Sequence, residues 1–139
     1  MRPAFLRSRA LDLCPFEPPD EGPASQAPWR LLSSGESGEP IAVAALDAAG
    51  RFLGAARLEG VDWLRREATL ALRWSGPEAG MGEALRLMVG YAFDELNLDR
   101  VEARVAAGDE GALALLLAQG FRPLEGSGGV VQRLARGRA

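Results

Sequence analysis

The sequence predicts a single α/β domain built on a mixed, mostly antiparallel sheet. Three observations predict it. Short apolar runs broken by turn residues fill positions 41–74, the apolar spacing then changes from two to three and four at Glu83, and a further strand and helix follow before two terminal strands. A chain of 139 residues fits one domain with one core, and no internal repeat divides it.

The first forty residues read as the irregular part. Residues 5–13 alternate loosely, with Phe5, Arg7 and Arg9 against Leu6, Ser8 and Ala10, and predict a first strand. Residues 15–40 carry Pro15, Pro18, Pro19, Pro23, Pro28 and Pro40 with Gly22, Gly35 and Gly38 between them, which leaves no room for a helix of useful length. A short strand fits over residues 29–33. A clear hairpin follows: the apolar run Ile41–Leu46, turn chemistry at Asp47-Ala48-Ala49-Gly50, and a return over residues 52–58. In residues 66–74, Ala68, Leu70, Leu72 and Trp74 share one face while Glu67, Thr69, Ala71 and Arg73 share the other. An antiparallel meander of three strands is the economical arrangement.

From Glu83, the positions Leu85, Met88, Val89, Ala92, Phe93 and Leu96 predict an amphipathic helix of about four turns. Asn97 offers its C-terminal cap. Residues 100–105 alternate again, with Val101, Ala103 and Val105 on one side. Asp109 is a good N-cap for a second helix carrying Ala112, Leu113, Leu116 and Leu117, and Gly120 suits its left-handed end. Residues 121–124 and 130–134, joined through Gly126-Ser127-Gly128-Gly129, predict a terminal hairpin.

Composition narrows the chemistry. Apolar residues make up 47% and charged residues 25% of the chain, the balance of a globular protein. There is no histidine, so imidazole bases, His-dependent triads and the usual Cys/His zinc sites are excluded. Cys14 is the single cysteine, which rules out an intrachain disulfide and reads as a small buried hydrophobe. All 16 cationic residues are arginine. A net charge of −3 gives no reason to expect a nucleic-acid partner. No apolar run reaches the roughly 20 residues of a membrane span, and Arg7 and Arg9 interrupt any secretory pattern. The expected location is the cytoplasm.

The element order, with Glu83-Ala84-Leu85-Arg86-Leu87, Tyr91-Ala92-Phe93-Asp94-Glu95-Leu96, Arg100-Val101-Glu102-Ala103-Arg104-Val105 and Gln119-Gly120-Phe121-Arg122, resembles the GNAT superfamily of acyl-CoA-dependent N-acetyltransferases. The branch it resembles acts on protein N-terminal and related small amines, the ribosomal-protein alanine acetyltransferase type. The match runs over residues 41–124, after an irregular stretch 1–40 and before a terminal strand and tail, 125–139. The resemblance implies a GNAT-like central sheet of six to seven strands with two main helices and reduced or absent N-terminal helices. It also implies transfer of an acetyl group from acetyl-CoA to a primary amine. Strand 66–74, through Leu70 and Leu72, would pair with the pantetheine arm. Ala79, Gly80, Met81 and Gly82 would cradle the pyrophosphate at the start of the long helix, where free amides and the helix dipole favour an anion. Asp109 stands at the family's Asn near the cofactor, and Glu67 is the candidate general base.

The sequence departs from the family at several of these positions. The family's loop reads Arg or Gln, two residues, Gly, one residue, then Gly or Ala; here that window is Gly76-Pro77-Glu78-Ala79-Gly80-Met81. Pro77 lacks an N–H to donate. A diphosphate would meet Glu78 and Glu83, with Arg73 and Arg86 as compensation, a repulsion worth on the order of 1–3 kcal/mol or roughly ten- to hundred-fold in affinity. Asp109 caps a helix but repels phosphate. Leu116, at the family's general-acid Tyr, has no proton to give. The proline-rich segment stands where the family has the helices that wall the acceptor site.

Three readings therefore stand open: a working N-acetyltransferase, a non-catalytic interaction domain on the same scaffold, and a domain that binds some other small ligand in the same cleft. Well-placed amides at Ala79–Gly82 would favour the first, and a chain segment or side chain filling the cleft would favour the second. Trp29, Trp63 and Trp74 read as packing residues, Tyr91 as packed on the long helix, and Arg133, Arg136 and Arg138 as a solvated tail. The terminal strands predict sheet edges that a homodimer would cover.

Overall fold

Local turn chemistry sets the first half of the sheet. The computed structural model describes residues 4–35, 38–126 and 129–138. Strands β1 (Leu6–Arg7) and β2 (Asp12–Pro15) form a tight hairpin in place of the single strand expected over residues 5–13. The Ser8 hydroxyl is the reason: it accepts from the Ala10 and Leu11 amides and turns the chain. A single 3₁₀ turn, Pro18–Asp20, leads into α1 (Glu21–Gln26). Pro23 is tolerated there because it falls in the first turn, and Pro28 follows closely, so the helix stops at six residues.

After β3 (Trp29–Leu31), strands β4 (Ile41–Leu46), β5 (Phe52–Asp62) and β6 (Glu67–Trp74) form the expected antiparallel meander. Gly54 lies where a Cβ would stand 2.3 Å from the Arg73 carbonyl, so the β5–β6 pair closes only over glycine. Helix α2 (Glu78–Asp94) then crosses to β7 (Arg100–Ala106), which runs parallel to β6. Asn97 takes φ 57° after α2, and Gly120 takes φ 91° after α3 (Glu110–Ala118), as their positions in sequence implied. The chain ends in β8 (Arg122–Pro123) and β9 (Val131–Gly137); Ser127 and Gly128 of the expected connecting turn lie outside the described residues.

The described strands form one sheet in the order β1-β2-β4-β5-β6-β7-β9-β8, with β3 paired to β6 off this path. Two of its nine strands are two-residue edges, which accounts for the excess over the six or seven expected. Ala68, Leu70, Leu72 and Trp74 point into a core shared with Met81, Leu85 and Met88 of α2 and Leu116 of α3. Arg133, Arg136 and Arg138 are no free tail: Arg133 bonds Glu102 at 2.7 Å, Arg136 lies over the Phe93 ring, and Arg138 reaches Asn97 and the Phe93 carbonyl.

Candidate functional site

The feature that organises the site is the way β6 and β7 part. They pair in parallel from Glu67–Arg100 to Leu70–Ala103 and then diverge. Into the gap runs β3, antiparallel to β6, with Trp29 opposite Arg73 and Leu31 opposite Leu72. The Trp74 amide donates to the Pro28 carbonyl at 3.0 Å, and the Leu32 amide donates to the Arg104 carbonyl of β7 at 2.8 Å. Leu31 is 2% exposed and belongs to the main core. β3 is therefore a wedge bonded to both walls.

The wedge is held at its far end by Glu59 of β5. Its carboxylate, almost fully buried, accepts from the Ser33 hydroxyl and the Ser34 amide, each at 2.8 Å. Burial pushes the Glu59 carboxyl up, but the Ser34 and Ser33 hydrogen bonds and the Arg57 charge outweigh it and leave the carboxyl below its usual range.

Arg30 is bulged out of β3 between the two register pairs and reaches the adjoining starts of α2 and α3. Its Nε and Nη2 donate to Asp109 Oδ2 and Oδ1 at 2.8 and 2.9 Å, a bidentate pair, and its Nη1 donates to Glu78 Oε1. Side-chain exposure is 18% for Arg30, 22% for Asp109 and 53% for Glu78, so the Asp109 arm is the sheltered one. The same Asp109 accepts from the Ala112 amide as the α3 N-cap. The Arg30 hydrogen bond first, aided by the Ala112 amide, holds the Asp109 carboxyl below its usual range, and the two carboxylates raise the guanidinium well above its own. Gly111 makes room: a Cβ there would lie 2.8 Å from Glu78 Oε2 and 3.2 Å from Arg30 Nη2.

The expected phosphate loop is helix. α2 begins at Glu78, five positions before Glu83, with Pro77 as an extended N-cap. Ala79, Gly80, Met81 and Gly82 thus form its first turns. The Gly80 and Met81 amides donate to the Pro77 carbonyl, which also accepts from the Trp74 indole at 2.9 Å. Met81 is buried, and Gly80 gives Trp74 its space, a Cβ there meeting the ring at 3.0 Å. Leu70 and Leu72 turn their side chains into the core, while the backbone beside Leu72 is taken by β3. Glu67 sits at the start of β6 opposite Arg100, about three residues or roughly 10 Å short of where the gap opens. Leu116 is fully buried.

On the sheet face away from α2 lies an open cavity of about 450 Å³. Its floor is Ala42, Ala55, Arg57 and Arg73, and α1 and Trp29 wall it. Two guanidiniums lie over the Trp29 ring, Arg73 at 4.4 Å and Arg57 at 5.2 Å from its centroid. No group of three or more metal-ligating side chains occurs among the described residues, and no helix among them is long and apolar enough to cross a membrane.

An open-edged mixed sheet whose two central parallel strands part beside the start of a long helix is a GNAT-type arrangement. Residues 9–122 match the family model for the acetyltransferase (GNAT) domain, and the chain belongs to that family. No curated protein matches its sequence. Among solved structures, a spermidine/spermine N-acetyltransferase from Vibrio cholerae in complex with manganese ions superposes with a TM-score of 0.73 at 16% identity, over 93% of each chain. A dodecameric spermidine N-acetyltransferase from the same organism gives 0.63 at 20% identity, over 71% of this chain and 65% of that one. A structure described as a probable acetyltransferase gives 0.63 at 24% identity, over 72% and 63%. In the latter two matches this chain spans under two thirds of the neighbour's length, and at these identities the likeness is one of fold.

The residues present do not fit acetyl-CoA in the conformation described. The β6 edge that the family uses for pantetheine is bonded to β3. At the start of α2, where the resemblance would put a diphosphate, stand Glu78 and Asp109, both turned to Arg30. Sequence reasoning missed Arg30 and Glu59. The available signal was the unexplained pair of acids at Glu78 and Asp109, which called for a cation from elsewhere in the chain.

Proposed function

We propose that this chain is a GNAT domain that has closed its donor slot with its own β3 strand and works without acetyl-CoA, as a binding domain rather than a transferase. The observation that carries this reading is β3 between β6 and β7, with Arg30 on the two acids where the family holds phosphate. Withdrawing β3 would break the two flanking backbone bonds, expose Leu31 and leave Glu78 and Asp109 without their cation. Backbone hydrogen bonds contribute about 1 kcal/mol each and a buried leucine about 2 kcal/mol. The cost is then on the order of 5 kcal/mol, which lowers apparent cofactor affinity by several thousand-fold.

A second reading is favoured by one observation. Pro77 gives α2 no side-chain cap, so the first-turn amides of Glu78 and Ala79 keep the anion-attracting character of a helix start. On that reading β3 withdraws, and the chain moves an acetyl group from acetyl-CoA to a primary amine, a protein N-terminus or a small amine, with Glu67 as base. Calorimetric titration with acetyl-CoA, beside thermal unfolding, separates the two. The closed domain gives no saturable heat and no stabilisation at millimolar cofactor. A one-to-one complex in the micromolar range would overturn it in favour of the transferase.

A further inference from the structure

The cavity on the sheet face away from α2 is lined by Arg57 and Arg73 beside small apolar residues. Its floor leaves room because Ala42 and Ala55 are small, and Phe16, Pro40 and Ala24 line it as well. A volume of about 450 Å³ lies within the range of small-molecule sites. Its charge comes from arginine. Arg57 is committed: its Nε lies 2.6 Å from Glu59 Oε2, with the N–H not aimed at the oxygen, and its Nη2 donates to Ser33. Arg73 differs. Its Nη1 donates to the Ala24 carbonyl at 2.6 Å, and no carboxylate among the described residues pairs with it. Its Cζ lies 4.4 Å from the Trp29 ring centroid, so the guanidinium is positioned by the ring and by Ala24 with N–H groups to spare. The one carboxylate among the lining residues is Glu21, which is exposed and screened by solvent.

We propose that this cavity binds a small organic carboxylate with a flat apolar body. The carboxylate pairs with the free edge of Arg73, and the body lies over Ala42 and Ala55 beside Trp29. Planar bidentate recognition is what guanidinium offers a carboxylate, and the same charge repels a polyamine. The inference deepens the closed-slot reading only in that β3 holds Trp29 in place; the ligand itself never enters the donor slot.

The test is calorimetric titration of the full chain with 1-naphthoate, 1-naphthamide and spermidine as probes. The expected result is saturable one-to-one binding of 1-naphthoate, at least tenfold tighter than the amide, with no spermidine binding. Arg73→Gln should weaken 1-naphthoate by tenfold or more. Because Arg73 also ties down α1, Ala42→Leu provides an independent variant that fills the floor and leaves the charge; it should abolish binding while the thermal midpoint stays near that of the parent. Equal affinity for amide and carboxylate, preference for spermidine, absence of naphthoate binding, or unchanged binding in a folded Ala42→Leu protein would each overturn the proposal. Acetyl-CoA titration is a separate measurement, so failure here leaves the closed slot standing, and cofactor binding there leaves this site standing.

Discussion

Replacing Arg30 with alanine asks whether the acid pair beside α2 and α3 was built around that arginine. The bidentate arm to Asp109 is about four-fifths sheltered on both sides, so it falls between an exposed pair, worth under about 1 kcal/mol, and a fully buried one, whose half-removal costs about 3–5 kcal/mol. Hydrogen bonds to charged groups of this kind contribute about 1.5–3 kcal/mol. The Glu78 arm, with a half-exposed carboxylate, adds little. A loss of about 2 kcal/mol follows, which lowers the thermal midpoint of a domain this size by roughly 7 °C. Differential scanning calorimetry on the parent, Arg30→Ala, Asp109→Asn and the double variant measures it, with a coupling of about 1 kcal/mol or more between the two sites. A midpoint within about 1 °C of the parent and no coupling would refute the account of the clamp. The single variant should still fail to bind acetyl-CoA, because Leu31 and the backbone bonds of β3 remain.

Four further outcomes follow from the same geometry. Leu31→Ala, at a site 2% exposed, should destabilise by about 2–4 kcal/mol in chemical denaturation. Gly111→Ala should be near neutral in the parent, where a Cβ displaces the Glu78 arm. In the Arg30→Ala background the same change should stabilise by about 0.5–1 kcal/mol through helix propensity alone. Gly54→Ala places a Cβ 2.3 Å from a backbone carbonyl and should leave little folded protein by circular dichroism. Glu59 and Asp109 both have folded pKa values below their unfolded ones. Their contribution is therefore complete above the ordinary carboxylate range near pH 4 and is lost as pH falls through the folded values. An acid-unfolding series should show a flatter limb below pH 4 in Asp109→Asn and Glu59→Gln than in the parent.

What was legible in the chain was what neighbours in sequence decide. The faces of β6 follow from strict alternation between Ala68 and Trp74, and the ends of α2 and α3 from Asn97 and Gly120, whose left-handed backbones are local requirements. The start of α2 was read too late because Gly80 and Gly82 argue against helix on propensity. Packing overrides that preference here: Gly80 admits the Trp74 ring and Gly82 admits Leu115. The hairpin of β1 and β2 depended on one hydroxyl, Ser8, in a stretch whose alternation fits a longer strand equally well. A strand was expected near Trp29, but nothing in three residues states which gap they fill. That choice is made by pairing with residues more than forty positions away.

The same distance explains why the site read as degenerate. Taken against a diphosphate, Glu78 and Asp109 are two separate defects, and the missing basic residue before Pro77 is a third. Taken with Arg30 they become one feature, because a guanidinium carried by β3 needs acceptors where the phosphates would have needed donors. Gly111 belongs to the same set, since any side chain there would crowd the pair. Loss of cofactor by drift would remove donors at random and leave the gap between β6 and β7 open to water. A wedge bonded to both walls, anchored by Glu59 behind it and Arg30 ahead of it, is instead a complete alternative solution to satisfying that edge. The β3 wedge is thus a packed part of the fold, and on the reading proposed above the arginine-lined cavity on the other face is where ligand chemistry should be sought.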